Sequence, residues 1–277
     1  MRTKKWVIGM ILVGTVACSD NVEKVLPSTG QELPVFQPEI AAMDNVLLLD
    51  FAEKDTLGMY IVCQEAGQVA ILKSAGNYVD NLPLIYDGAN WSWGETVYFP
   101  LSDSELLLYA YYPYLKEVED VMEVPFAVAV DQREEDAFVA SDFIWAKETV
   151  SKETAGEVAL HFSHRMSRIV VELSPGEGMG SLQDAEVQIA CVGKDALVNL
   201  QTGGIRLQPG SEDVRMLPRQ LADGRFEALV PPQFVGAAER LIQVSWNGKT
   251  WSWVTPVGGC TFQAGETKTF HLILEDK

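Results

Sequence analysis

From about residue 58 onward the chain repeats one pattern: a short run rich in β-branched, aliphatic and aromatic residues, then a turn signal. GMYIVCQ, QVAILKS, ETVYFPL, ELLLYAYYPY and VPFAVAVD form a first set of such runs. EVALHFSH, SRIVVELS, DAEVQIACVG, DALVNL, GGIRLQPG, GRFEALVPP, ERLIQVSW, TWSWVTP and ETKTFHLILED form a second. Each is bounded by Gly, Asp, Asn or Pro, which supply turn geometry and cannot extend a strand freely. Short strands bury their apolar faces only by stacking sheet on sheet, so the sequence predicts an all-β chain of sandwich architecture. Asn247-Gly248 in SWNGKTWSW is the strongest hairpin signal, because both residues tolerate the positive φ of a two-residue turn. Asp87-Gly88 predicts a second turn ahead of Trp91 and Trp93. Helical signals are confined to residues 181–185 and 236–240.

The ends and the middle of the chain read differently. MRTKKWVIGMILVGTVAC places Arg2, Lys4 and Lys5 before an apolar run that ends on small residues and Cys18. That is the layout of a bacterial lipoprotein signal, with residues 1–17 removed and Cys18 acylated; an ordinary secretory signal is the alternative. The run is too short to span a bilayer, which takes about 20 residues. Residues 18–38 are polar and broken by Pro27, Pro34 and Pro38, as expected of a tether. The polar stretch AKETVSKETAGE at 146–157 separates the two strand sets, which predicts β-sandwich domains at 39–150 and 151–277.

Charge and chemistry narrow the function. With 39 acidic against 21 basic residues the net charge is −18, which repels nucleic acid and excludes it as a partner. Four cysteines, Cys18, Cys63, Cys191 and Cys260, lack any zinc spacing; Cys63 and Cys191 lie in strand-like runs, and a disulfide among Cys63, Cys191 and Cys260 stays open. His161 and His164 fall on opposite faces of a strand, since side chains alternate with period two, so they cannot share a metal. No nucleophile elbow, metalloprotease helix or phosphate-binding glycine loop is present. The expectation is a non-enzyme without metal or cofactor. Trp91 with Trp93, and Trp251 with Trp253, each place two indoles on one strand face. They are either core residues or an aromatic platform for glycans or other host or bacterial surface ligands.

Several phrases taken together resemble the fimbrillin family of Bacteroidales outer-surface lipoproteins, the type V pilins and related fimbrial lipoproteins. They are YFPLSDSELLLYAYYPY, SDFIWAK (141–147), LHFSHRMSRIVVEL (160–173), ALVPPQ (228–233) and FQAGETKTFHLIL (262–274). The resemblance implies two transthyretin-like β-sandwich domains in tandem, an outer-membrane and cell-surface location in a fimbrium, and adhesion as the end result. It also implies assembly with other fimbrial subunits by strand exchange: an outer protease removes the first strand and a neighbour's strand fills the groove. Carried onto this chain, the displaced strand is expected at Asn45, Val46, Leu47, Leu48, Leu49, Asp50 and Phe51. The family's cleavage after arginine has no counterpart, since no arginine lies between Arg2 and Arg133; Lys24 and Lys54 are the candidate cleavage sites. Few residues follow TFHLIL, so the donor would be that last strand. Both departures favour an anchor or accessory subunit, held to the outer membrane through lipid on Cys18.

Overall fold

The computed structural model describes residues 27, 29–43, 50–64, 70–102, 105–153 and 156–275, the side chain of Cys191 excepted. The first strands are β1 (Val35–Ile40), β2 (Thr56–Gln64), β3 (Val79–Tyr86), β4 (Trp91–Trp93), β5 (Glu105–Tyr112) and β6 (Val124–Ala127). A single helical turn, α1 (Glu135–Val139), precedes β7 (Ile144–Val150), β8 (Glu157–His164) and β9 (Ser167–Pro175). Next come β10 (Glu186–Gly193), β11 (Asp195–Asn199), β12 (Gly204–Leu207), β13 (Asp213–Met216) and β14 (Arg219–Ala222). The chain closes with β15 (Arg225–Val230), β16 (Gln233–Val235), β17 (Arg240–Trp246), β18 (Lys249–Val254), β19 (Cys260–Phe262) and β20 (Thr267–Leu274). The protein is all-β, in keeping with a β-sandwich.

The largest sheet has seven strands in the order β1-β8-β7-β5-β2-β3-β4. Its central strands β2 and β5 are buried on both faces, which explains why GMYIVCQ and ELLLYAYY are apolar throughout instead of alternating. From β5, Leu106, Leu108 and Ala110 enter one apolar cluster, with Leu57, Met59 and Ile61 of β2. Leu107, Tyr109 and Tyr111 point the other way into a second cluster, with Tyr60 and Val62. That second cluster continues into the C-terminal half. There the sheets β13-β10-β17-β18 and β14-β15-β9-β20 contribute Ile189, Ile242, Val244, Ile169, Val171 and Phe270 to it. β6 also crosses over, pairing with β11 in a three-stranded sheet.

Several elements differ from the expectation, each for a local reason. The 150/151 division falls at the β7–β8 turn, and β8 stays in the same sheet as β7 through Ile144↔His164. β7 was hidden by polar composition, yet its alternation buries Ile144, Ala146 and Val150. Residues 35–38, expected within the tether, open β1, which pairs parallel with β8 at the sheet edge. Pro38 fits there because Ala41 N–H bonds to Phe162 O, 2.9 Å. By the period-two repeat the nitrogen of Pro38 then faces away from β8, where no donor is needed. QVAILKS forms no strand over its described residues: Leu72 N–H is taken by Gln201 Oε1 at 3.1 Å and Lys73 N–H by Asn77 Oδ1 at 3.0 Å. Residues 181–185 and 236–239 are loops with turns at 183–184 and 237–238, and residue 240 opens β17, so neither stretch is helix. The hairpin at Asn247-Gly248 matches its signal, with φ of 46° and 77° and Trp246 paired to Lys249.

Candidate strand-exchange site

The segment from Gln31 to Ile40 bonds first to residues 97–99, which follow β4, and then forms the β1 margin of the seven-stranded sheet. On one flank Leu33 N–H bonds to Val97 O at 2.9 Å, and Phe99 N–H bonds to Gln31 O at 2.8 Å. On the other flank β1 runs parallel to β8 in register from Val35↔Glu157 to Ile40↔Phe162. Leu33 and Phe36 are 8% and 2% exposed and belong to the cluster inside the curled sheet, with Leu160 and Phe162 beneath them. Burying each such side chain stabilises by about 1.5–3 kcal/mol. Three residues beyond Ile40, Met43 is 2% exposed and lies in the second cluster. One stretch of chain therefore closes one core and pins the other.

Electrostatics adds a contact across this ladder. His161 of β8 sits opposite Glu39 of β1, with Nε2 3.7 Å from its carboxylate, and Nδ1 is 2.8 Å from Glu148 of β7. The hydrogen bond to Glu148, and then the nearby charges of Glu148 and Glu39, raise the imidazole pKa. His164, three residues on, is buried and bonded to Asp142, Nδ1 to Oδ2 at 2.6 Å. The two rings fall on opposite sides of β8.

The residues named from the sequence separate clearly. Cys18, Lys24 and Asn45 through Leu49 lie outside the described residues. Asp50 and Phe51 belong to no strand; Phe51 packs edge-on to Trp91 at 4.8 Å and to Tyr112 at 6.0 Å. Lys54 is exposed in a turn with φ of 78°, its N–H bonded to Tyr86 O at 2.8 Å. Trp91 and Trp93 are half-buried on β4, against Phe51 and Phe36 respectively. Trp251 and Trp253 are half-buried on β18, where Trp253 meets Phe270 edge-on at 4.9 Å and Trp251 Nε1 donates to Glu275 O at 2.9 Å. In both triplets the serine between the indoles, Ser92 or Ser252, is the exposed residue. Cys63 and Cys260 are thiols, half-buried and buried. Among the described residues no group of three His, Cys, Asp or Glu is placed to hold a metal ion. Sequence reasoning passed over Phe36 and Leu33; the alternation in VFQPEI was the signal for Phe36.

A fimbrillin-like family model matches residues 42–277. The chain belongs to the fimbrillin-like family. Solved structures share the fold of this fimbrillin at low identity. One is a proposed cell adhesion protein from Bacteroides ovatus, with 16% identity and a TM-score of 0.66, covering 88% of this chain and 93% of the other. Another from Bacteroides uniformis has 20% identity and a TM-score of 0.58, covering 81% and 88%. A fimbrial protein from Bacteroides ovatus has 17% identity and a TM-score of 0.55, covering 88% of this chain but 49% of its own length. No curated protein matches. Family membership places this fimbrillin at the outer membrane and cell surface, in the fimbrium, in a structural role.

Proposed function

We propose that this fimbrillin assembles with other fimbrial subunits by strand complementation, and that residues 31–40 are the strand to be exchanged. One observation carries the reading: this segment is hydrogen-bonded on both flanks and supplies Leu33 and Phe36 to the core. Removing it would leave an apolar trough with unpaired backbone on both sides, which another chain's strand can satisfy. The last strand is a suitable donor. β20 also runs parallel at a sheet edge, and it presents Phe270, Leu272 and Leu274 at the spacing of Phe36, Pro38 and Ile40.

This geometry gives the two candidate cleavage sites different consequences. A cut after Lys54 releases residues 31–40, whereas a cut after Lys24 leaves them in place. An anchor would keep the segment together with lipid on Cys18, closing the base of the fibre. The two halves are read as transthyretin-like sandwiches in tandem, supported by the curled seven-stranded sheet and the pair of four-stranded sheets after it. The role is structural and does not call for catalysis. A non-polymerising glycan- or host-ligand-binding lipoprotein draws less support, because both tryptophan pairs turn towards apolar clusters.

The test is mass spectrometry of surface-extracted protein combined with native mass measurement. A polymerising subunit begins after Lys54 and forms multimers; an anchor begins at acylated Cys18. A chain that has lost residues 31–40 yet stays monomeric at high concentration would refute strand complementation.

A further inference from the structure

Between Leu33 and Ile40 the sealing segment loses its backbone neighbour on one flank. β1 is laddered only to β8, and the strand facing its free flank, β4, is laddered only to β3. The space between them is a groove of about 310 Å³ bordered by Leu33, Phe36, Leu84, Trp91, Trp93 and Val97. A backbone ladder reads almost any sequence, because nearly every residue offers the same N–H and C=O; discrimination among strands falls to side-chain pockets. Phe36 is set deep here, 2% exposed. Its neighbour across the groove is Trp93, with ring centroids 5.4 Å apart and planes at 87°, the edge-to-face arrangement that aromatic quadrupoles favour.

The wall that Trp93 forms is held in place before any strand arrives. Trp93 lies opposite buried Leu84 on β3. The β3–β4 turn is fixed by Asp87 Oδ1, which accepts from Ala89 N–H at 2.8 Å and Asn90 N–H at 2.7 Å. Trp91 is stacked on Tyr86 at 5.0 Å, a contact that a cut after Lys54 leaves intact. We propose that Trp93 is the specificity-determining residue of the groove, selecting strands that carry an aromatic side chain at the place of Phe36. The occupant is a strand from another subunit, and β20 carries such a residue in Phe270. This rests on the strand-exchange reading.

The test uses the mature chain with residues 44–49 replaced by a protease site, cut so that the N-terminal fragment stays bound. Synthetic peptides of residues 31–41, with Phe or Leu at position 36, then compete the fragment off. In the wild type the Phe peptide is expected to compete about two- to tenfold better, the range for an aromatic pair beyond its area. Trp93→Leu should bring that ratio to about one, while Trp93→Phe and the neighbouring Trp91→Leu should keep it. An unchanged ratio in Trp93→Leu overturns the assignment and leaves strand exchange standing. If Trp93→Leu fails to fold, loss of the ratio in Trp93→Phe, or in Trp91→Leu alone, overturns it instead. Failure of every peptide to displace the fragment overturns strand exchange and this inference with it.

Discussion

Replacing Phe36 with alanine should loosen the sealing segment without unfolding the sheet it closes. Phe36 is 2% exposed, and truncation of a buried phenylalanine costs about 3–5 kcal/mol. An edge strand can settle into part of the space, so the lower end, about 3 kcal/mol, is expected. At about 1.4 kcal/mol per decade this raises local opening on the order of a hundredfold. Hydrogen exchange reads it amide by amide, under conditions where closing outpaces exchange. The N–H groups of Leu33, Phe99 and Ala41 report the segment, since they bond to Val97 O, Gln31 O and Phe162 O. Leu108, central in β5 between Ile61 and Glu148, reports the sheet. The first three should accelerate by that factor and Leu108 far less. Equal acceleration at all four would mean that the segment opens only with the whole fold. No acceleration would mean that Phe36 does not hold it. Either result refutes the reasoning.

Three further outcomes follow from side-chain environments. The raised pKa of His161 gives stability that is complete below its ordinary value of 6.5 and lost as pH rises through the raised one, so β1 amides should exchange faster at about pH 8 than at about pH 6, after correction for intrinsic rates, and His161→Gln should flatten the difference. Burial, and then the charge of Asp80, push Tyr60 up to about 12, so stability should decline as pH climbs from 10 towards that value; tyrosinate absorbance and circular dichroism should change together, less steeply in Tyr60→Phe. Glu227, 1% exposed, accepts from Arg168 Nε at 2.7 Å and Arg219 Nε at 2.6 Å, so Glu227→Ala should cost about 3–5 kcal/mol in denaturant unfolding by leaving Arg168 buried without its partner.

What the sequence disclosed depended on whether a segment kept period two in a composition typical of strands. β9, β10, β15, β17 and β20 are apolar enough to be read directly, and the Asn247-Gly248 turn needs no tertiary partner to be recognised. β7 keeps the period in polar residues and is missed when composition is weighed first. β1 is missed because Pro27, Pro34 and Pro38 suggest a tether, although a strand bonded on one flank tolerates Pro38. QVAILKS fails in the opposite sense: its composition suits a strand, but side chains from residues 77 and 201 take its backbone donors. α1 escaped notice because five residues hold too little periodicity to register. At the site, Trp91 and Trp93 stood out as an unusual pair. Their relation to Phe36 spans more than fifty positions and exists only once the sheet curls.

The parallel docking of β1 on β8 has a mechanical corollary. Tension along the axis of β1 would load six residue pairs side by side in shear, so they must yield together and not peel away one after another. A sideways pull on the same stretch would unzip it pair by pair at much lower force. The segment thus resists displacement along its own length, while Lys54, downstream of it, stands exposed in a turn.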